Sequence, residues 1–210
     1  MGTPSVFVRV SGCNLRCVWC DTPYASWSPE GPVVGLEQIL DQVERFACDH
    51  VVLTGGEPML FDSIVDLAAQ LKKGGHTITV ETAGTIYRDL ACDLMSISPK
   101  LTNSIPPDEN WKTRHDETRL NFDVLGKLVA NYNYQLKFVV ADKERDLPEI
   151  EAILANLPSI EPTRILLMPE GIEAETLTRR LRDLTPLAMV KGWRLCPRLH
   201  VELFGNTRGT

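Results

Sequence analysis

Residues 12–22 read GCNLRCVWCDT, so Cys13, Cys17 and Cys20 fall within eight residues in the spacing C-x-x-x-C-x-x-C. Structural zinc is held by four ligands in a closed tetrahedron, and its cysteines usually come as two separated pairs. A four-iron, four-sulfur cluster also normally takes four cysteines. Three cysteines would leave one iron free to bind a small chelating molecule. The spacing therefore favours cofactor chemistry, with a zinc loop as the alternative.

This cysteine spacing resembles that of the radical S-adenosylmethionine (SAM) enzymes. The resemblance implies that the three thiolates hold a four-iron, four-sulfur cluster whose open iron is chelated by the amino and carboxylate groups of SAM. Trp19, between the second and third cysteines, fits a cover over such a cluster. The alternatives are a three-cysteine zinc loop and three buried thiols.

Length and charge limit the classes of partner. A chain of 210 residues can bury a sizeable core as one domain without disulfides. Its net charge of -6 argues against nucleic-acid binding, which needs a basic stripe for the phosphates, and favours a small-molecule substrate. The sequence shows no signal-peptide pattern and no run of about 18 or more apolar residues. We therefore expect a cytoplasmic protein with no membrane partner.

Three further cysteines lie outside the cluster-forming stretch. Cys48, Cys92 and Cys196 are scattered among apolar neighbours, so we expect small buried hydrophobic side chains there. In a reducing compartment the tight group at residues 13–20 is more consistent with metal binding or catalysis than with disulfides.

Short β-branched runs alternate with helical patterns along the chain, which is typical of consecutive βα units in a mainly parallel sheet. The apolar spacing predicts strands at 5–10, 50–54, 77–81, 94–98, 134–140, 164–168 and 194–196. It predicts helices at 36–46, 61–73, 119–131, 147–156 and 173–190. Residues 101–115, with Pro106-Pro107 and mixed charges, are predicted to form a long loop.

Small and polar residues follow several predicted strands, at the carboxyl ends where parallel α/β folds bind ligands. Residues 54–58 read TGGEP; alone they indicate a tight turn, but beside the cysteine loop they resemble the radical SAM Gly-Gly-Glu motif, with Gly56 at the methionine amino group. A ribose or carboxylate could be bound by Ser98, Pro99 and Lys100. The backbone near Met168 could form hydrogen bonds with the edge of an adenine ring. Ordinary turn chemistry explains these residues nearly as well.

Four more side chains are candidates for a substrate or a second metal. Arg9 lies in an apolar strand, where we expect a buried charge that needs either an internal carboxylate or an anionic substrate. His200 is either structural or part of the site. Asp21 and Thr22 follow the last cysteine and either brace the loop or support Mg²⁺, which prefers oxygen ligands.

Together these motifs resemble the 7-carboxy-7-deazaguanine synthase family over nearly the whole chain. The residues that carry the resemblance are the cysteine stretch and 4–9 (PSVFVR), 20–24 (CDTPY), 55–57 (GGE), 98–100 (SPK), 168–171 (MPEG) and 196–200 (CPRLH). The resemblance implies an α/β fold, namely a modified partial (β/α) radical SAM barrel with a mainly parallel sheet, in a homodimer. It also implies a magnesium-dependent radical conversion of 6-carboxy-5,6,7,8-tetrahydropterin to 7-carboxy-7-deazaguanine, with loss of ammonia, on the route to queuosine.

The resemblance also assigns roles to residues. It implies cluster ligands at Cys13, Cys17 and Cys20; SAM contacts at Trp19, Cys20, Asp21, Gly56, Ser98, Pro99, Lys100 and Met168; substrate contacts at Arg9, Thr54 and His200; and a magnesium ligand at Thr22. It implies no discrete general acid or base, and an electron donor such as flavodoxin or ferredoxin.

The amino terminus departs from the family pattern. Family members usually begin with a strand and a Gln-Gly-Glu-Gly stretch that contacts the pterin, whereas this sequence starts MGTP. We expect residues 1–210 to form a single radical SAM core domain without that strand. The difference reflects a misplaced start, a truncated chain or a substrate bound by other residues.

For the function, the alternatives are another small radical SAM enzyme, such as a glycyl-radical-enzyme activase, and a zinc-binding module without catalysis.

Overall fold

The computed structural model describes residues 2–208, in which seven parallel strands form one sheet. Each strand pairs with the next one along the chain, so the sheet order is sequential and the first and last strands are its edges. This is the winding of a (β/α) barrel that has not closed. The strands are β1 Val6–Val10, β2 His50–Gly55, β3 Thr77–Thr82, β4 Leu94–Ile97, β5 Tyr134–Val140, β6 Ile165–Pro169 and β7 Arg194–Leu195.

Helices connect the strands and cover one face of the sheet. They are α1 Pro23–Ser26, α2 Leu36–Glu44, α3 Ser63–Lys73, α4 Glu109–Arg119, α5 Phe122–Asn131, α6 Lys143–Ala155, α7 Ala174–Lys191 and α8 Leu199–Phe204. Three of them start at a residue whose side chain accepts hydrogen bonds from the first-turn backbone, which stabilises the helix start: Asp108, Asn121 and Asp142. Within residues 2–208, all helices lack the length and apolar character that crossing a membrane requires.

The two faces of the sheet differ in chemistry because successive strand side chains point in opposite directions. One face packs its Val, Ile, Leu, Met and Phe side chains against the helices and forms the core. The other face, which we call the inner face, is the inside of the partial barrel. Strand register places on it Arg9, Thr54, Glu81, Ser96, Gln135, Lys137 and Met168.

The predicted fold class is confirmed: the sheet is parallel throughout, and all seven predicted strands are present within one or two residues of their predicted ends. The five predicted helices are also present. The long loop predicted at 101–115 is wrong, because α4 occupies Glu109–Arg119. This helix is mostly polar, and its two buried side chains, His115 and Arg119, carry no apolar signal. The short helices α1 and α8 were not predicted.

The six cysteines are free thiols, and only Cys17 is fully buried. The expectation that Cys48, Cys92 and Cys196 are buried is wrong, because all three are partly exposed. The thiol of Cys48, for example, donates to the carbonyl oxygen of Pro4 at 3.0 Å near the amino end of β2. Partial exposure follows from their positions at element ends.

Candidate active site

The cysteine loop leaves the carboxyl end of β1 and folds back on itself. Leu15 and Cys17 are buried against Ala83 in the turn after β3, and Cys13, Trp19 and Cys20 pack around that small cluster. The backbone N–H of Cys20 donates to the carbonyl oxygen of Cys17 at 3.0 Å, which makes a tight turn between these two cysteines. The loop therefore gathers its three thiols beside the ends of β1 and β3.

The thiol environment fits an iron–sulfur cluster. Burial raises the pKa of Cys17 to about 12 and raises that of Cys13, while the Lys100 ammonium opposes both shifts. Thiolates in this setting need the positive charge of bound iron. Among residues 2–208 no group of three or more His, Cys, Asp or Glu side chains converges to hold one metal ion. In a four-iron, four-sulfur cluster each thiolate binds a different iron, so its ligands do not have to converge on one point.

The Gly-Gly-Glu turn after β2 lies directly against the cysteine loop. Gly55 has a φ of 130°, and a Cβ on Gly56 would stand 2.0 Å from the carbonyl oxygen of Gly12. The N–H of Gly56 donates to Val10 at 3.0 Å and that of Glu57 to Gly12 at 2.9 Å. The glycines therefore allow the chain's own backbone to approach, in addition to any contact of Gly56 with a ligand.

Glu57 is a site residue that the sequence did not single out. Its fully buried carboxylate accepts hydrogen bonds from the Thr82 hydroxyl and the Ala83 N–H at 2.7 Å each, and from the Met59 N–H at 3.0 Å. Burial raises the pKa of Glu57 and these hydrogen bonds oppose the rise. Glu57 thus joins the turns after β2 and β3, which both border the cysteine loop.

The Ser-Pro-Lys segment follows β4 and contacts the cysteine loop through Lys100 and Trp19. Lys100 Nζ donates to the carbonyl oxygen of Ser98 at 2.7 Å and to its hydroxyl at 2.9 Å, and lies 6.0 Å from the centre of the Trp19 ring. The Trp19 indole N–H donates to Asn103 Oδ1 at 3.1 Å. Lys100 therefore lies close to Trp19 and near Cys13 and Cys17, and both Lys100 and Trp19 were predicted to contact SAM.

The inner face carries a polar network that the sequence analysis missed apart from Thr54. The Thr54 hydroxyl donates to Glu81 Oε2 at 3.1 Å, and Lys137 Nζ donates to Glu81 Oε1 at 3.0 Å. Lys137 holds the pKa of Glu81 below its usual range against the opposing effect of burial. Gln135 Nε2 donates to the Ser96 hydroxyl at 3.0 Å on the neighbouring strands. Polar residues at every second position of these strands were the available signal.

Arg9 is exposed, so the expectation of a buried charge inside β1 is wrong. Arg9 lies on the inner face of an edge strand, which has a neighbouring strand on one side only. Strand register sets Arg9 opposite Thr54, and its charge contributes to the low pKa of Glu81. The guanidinium is therefore available to a ligand on the inner face.

Arg198 links the carboxyl-terminal segment to the cysteine loop. This buried side chain contacts the Asp21 carboxylate and donates to the carbonyl oxygen of Gly171, after β6, at 2.7 Å. The Asp21 carboxylate is thus engaged within the chain. Two residues on, partial burial and the Arg198 cation lower the pKa of His200, which leaves it mostly neutral near pH 7. The nearby Arg9 acts in the same direction.

The remaining predicted residues lie at two places. Thr22 precedes α1 without capping it through its side chain, and its hydroxyl is 3.8 Å from the Cys20 sulfur. Met168 lies on β6 beside Val139 and is partly buried. Thr22 therefore lies at the cysteine loop and Met168 on the inner face, where Arg9 and Thr54 are paired in register and His200 lies close enough to feel the Arg9 charge.

His115 supports the loop from outside the predicted site. It is fully buried, its Nδ1 accepts the Arg16 N–H at 3.0 Å, and its Nε2 lies 2.9 Å from the Ser104 hydroxyl. Since Nδ1 accepts, Nε2 carries the proton and donates to Ser104, whose hydroxyl donates to Leu101 at 2.6 Å. Burial, aided by the Arg119 cation, lowers the pKa of His115 from 6.5 to about 4.

This histidine predicts a pH dependence of stability. The unfolded chain takes up the proton near pH 6.5, whereas the folded chain resists it until about pH 4. The free energy of unfolding should therefore fall by up to roughly 3 kcal/mol as the pH is lowered through this window. The free energy of unfolding is measured with urea at several pH values. Between pH 6.5 and pH 4 it should change less with pH in His115→Asn than in the wild type. His76→Asn is the control, and equal slopes in all three proteins would contradict the assignment.

The comparisons with known proteins agree with this geometry. The sequence model of the radical SAM superfamily matches residues 7–104, which contain the cysteine loop and the first four strands. The fold and the site thus define a radical SAM protein. The chain is 46% identical to the 7-carboxy-7-deazaguanine synthase of Halobacterium salinarum, with 100% of this chain and 86% of that protein covered. It belongs to the 7-carboxy-7-deazaguanine synthase family.

Two further comparisons support the same assignment. The synthase of Rhodopirellula baltica is 44% identical, with 100% of this chain and 82% of that protein covered. The crystal structure of QueE from Escherichia coli superposes with a TM-score of 0.70 at 25% identity, and the match covers 94% of this chain and 86% of that one. The likeness therefore extends from sequence to three-dimensional fold.

Proposed function

We propose that this chain is a radical SAM lyase that converts 6-carboxy-5,6,7,8-tetrahydropterin to 7-carboxy-7-deazaguanine with loss of ammonia. The observation that carries the proposal is the 46% identity, over the whole chain, to a protein named for that product. The three-cysteine loop supplies the ligands that radical SAM chemistry needs. The product would feed 7-deazapurine biosynthesis, including the tRNA nucleoside queuosine.

The cofactors are a four-iron, four-sulfur cluster and SAM. Cys13, Cys17 and Cys20 would hold the cluster. When bound and reduced, the two cofactors supply a 5′-deoxyadenosyl radical, a reagent that no side chain can provide. The chain's own residues position the reactants and exclude water. We assign the SAM contacts to Trp19, Cys20, Asp21, Gly56, Ser98, Pro99, Lys100 and Met168.

On the inner face, fixed charges would orient the substrate. Glu81 is ionised because Lys137 stabilises its carboxylate, so it can accept a hydrogen bond from a ligand N–H or O–H group. The exposed guanidinium of Arg9 can form two parallel hydrogen bonds with a carboxylate. The neutral imidazole of His200 can donate one hydrogen bond and accept another. Arg198 holds the segment that carries His200 against the end of the cysteine loop. No general acid or base is required of these residues.

The role of Arg9 can be separated from SAM binding. Arg9→Ala should weaken binding of the carboxypterin about 10- to 100-fold, which is the effect of losing a charged hydrogen bond, and should leave SAM affinity unchanged. Titrations of each ligand measure both affinities. Arg45→Ala, at an exposed arginine outside the site, is the control. Equal losses for the pterin and SAM would indicate a structural role instead.

We further assign a magnesium ion to the Thr22 hydroxyl, which lies beside the Cys20 sulfur and is not used to cap α1. Thr22→Ala should lower the apparent affinity for Mg²⁺ about 10- to 100-fold while the iron content stays at the wild-type level. Activity titrated with Mg²⁺ tests this. A variant with unchanged magnesium dependence would exclude Thr22 as a ligand.

The proposal extends to the partners and setting of the protein. Residues 1–210 would act as a single radical SAM core domain, in a cytoplasmic homodimer that binds no nucleic acid. An electron carrier such as flavodoxin or ferredoxin would reduce the cluster. The net charge of -6 supports the absence of a nucleic-acid partner. Light scattering of the purified protein tests the dimer.

The proposed reaction is tested by anaerobic incubation of the iron-replete protein with the carboxypterin, SAM, Mg²⁺ and dithionite. Mass spectrometry should detect 7-carboxy-7-deazaguanine, and a tetrahydropterin without the 6-carboxylate should give no deazapurine. Iron-replete protein that binds SAM but forms no product from the carboxypterin would overturn the proposed substrate.

A further inference from the structure

We infer that Arg16, Trp111 and Arg114 form a docking surface for a small acidic protein that donates one electron to the iron–sulfur cluster. We call these three residues the Arg–Trp surface. The inference rests on the proposed function, because only a chain that holds such a cluster needs an electron carrier. It assigns the carrier to a particular place on the molecule.

Two arginine side chains contact one indole ring at this surface. The guanidinium carbon of Arg16 lies 4.0 Å from the centre of the Trp111 ring, and that of Arg114 lies 4.7 Å from it. Arg16 is also fixed by hydrogen bonds from Nη1 to the carbonyl oxygens of Cys13, at 2.9 Å, and Leu15, at 2.8 Å. The Trp111 ring orders both guanidinium groups, and the hydrogen bonds further order that of Arg16. Because these side chains are ordered before a partner binds, docking costs less side-chain entropy.

The surface is attached directly to the cysteine loop. Arg16 lies between two of the cluster cysteines in sequence, and its backbone N–H donates to His115 of α4. The N–H of Val18, also within the loop, donates to the carbonyl oxygen of Ser104 at 2.9 Å. The Val18 side chain is 47% exposed, so an apolar group lies on the same loop. A protein bound here would therefore lie against the loop that carries the cluster.

The charge of the surface is not neutralised by the chain. On α4, Lys112 pairs with Glu109, and Arg119 pairs with Asp116 and Glu149. Within residues 2–208, by contrast, no carboxylate forms an ion pair with Arg16 or Arg114, and each makes a cation–π contact instead. Arginine and tryptophan are also the residue types most enriched at protein–protein contacts.

The net charge of the chain favours one orientation of a bound acidic carrier, with the carrier at the Arg–Trp surface. The chain carries a net charge of -6, so an acidic carrier is repelled by the molecule as a whole and attracted at the unpaired arginines. Docking there brings the carrier to the cysteine loop. A carrier docked there would lose one electron, and the cluster would gain it.

Binding provides a test that does not depend on catalysis. Oxidised flavodoxin, an acidic carrier, is titrated into the iron-replete protein at low ionic strength. Arg114→Glu should weaken binding about tenfold, and the difference should shrink at high salt. Arg114→Gln should lie between this variant and the wild type. Arg182→Glu is the matched control, because Arg182 is an exposed arginine on α7 that forms no ion pair within residues 2–208. This variant should bind flavodoxin as the wild type does.

The rate of cluster reduction provides the second readout. Arg114→Glu should slow reduction by reduced flavodoxin about tenfold but not reduction by dithionite, which does not need to dock. Equal flavodoxin binding by Arg114→Glu and wild type, or equal slowing with both reductants, would overturn the docking surface. A change of oligomeric state in Arg114→Glu would also overturn it, by indicating a subunit contact. Wild-type protein whose cluster is not reduced even by dithionite would instead count against the proposed function.

Discussion

Replacing Cys17 by serine is expected to abolish turnover and to remove most of the bound iron. Cys17 is the most buried of the three loop thiols, at 8% exposure, and packs against Leu15 and Ala83. A serine hydroxyl fits the same space but is a much poorer ligand for iron than a thiolate. Substitution of a residue that only contacts a metal ligand typically lowers metal affinity or activity about 10- to 100-fold. Loss of a ligand itself should have a larger effect, so activity should fall below about one hundredth of the wild-type value.

The measurement for Cys17→Ser is iron and sulfide content after anaerobic reconstitution, followed by product formation. Cys48→Ser is the matched control, because the Cys48 thiol lies at the opposite end of the sheet and donates only to backbone carbonyl oxygens. It should retain iron and activity. If Cys17→Ser retained both, the loop would not be the cluster site. If Cys48→Ser lost iron equally, the effect would not be specific to the loop.

The second large effect is expected for Glu57→Ala, which should lower the free energy of unfolding by about 3–5 kcal/mol. The substitution removes a fully buried carboxylate and leaves the Thr82 hydroxyl and two backbone N–H groups, those of Met59 and Ala83, without acceptors. Each unsatisfied buried donor costs about 1–3 kcal/mol. The turns after β2 and β3 would loosen together, and both border the cysteine loop.

Urea unfolding of the cluster-free protein measures this effect. Glu57→Gln keeps one oxygen acceptor and should cost less than Glu57→Ala. Glu117→Ala, at an exposed position on α4, is the control and should change stability by no more than about 0.5 kcal/mol. If Glu57→Ala lowered the free energy of unfolding by less than about 1 kcal/mol, the three donors would have found water or new partners.

The features that the sequence predicted are those that depend on local spacing. The strands are short runs of β-branched and apolar residues, and the three cysteines proposed as ligands lie within one eight-residue stretch, so neither requires knowledge of distant contacts. The Gly-Gly-Glu turn was also found from its own residues. The structural reason for a glycine at position 56 could not be found in the same way, because it is the close approach of the Gly12 backbone, which belongs to another segment.

The features that the sequence missed depend on contacts between distant segments. Arg198 and Asp21 are 177 positions apart, and no spacing rule relates them. Two of the three hydrogen-bond partners of Glu57 lie 25 and 26 residues later, after the chain has completed α3 and β3. Helix α4 gives no helical signal in the sequence because its buried side chains are polar, and Arg9 is exposed on an edge strand, a position that the sequence of β1 alone does not reveal.

The most direct test of the central claim is a quantitative anaerobic assay of the iron-replete protein with 6-carboxytetrahydropterin, SAM, Mg²⁺ and dithionite. The account predicts 7-carboxy-7-deazaguanine and ammonia in equal amounts from the wild type, and neither from Cys17→Ser. Wild-type protein that binds its full complement of iron and SAM yet releases neither compound would contradict the account and would assign the radical chemistry to another substrate.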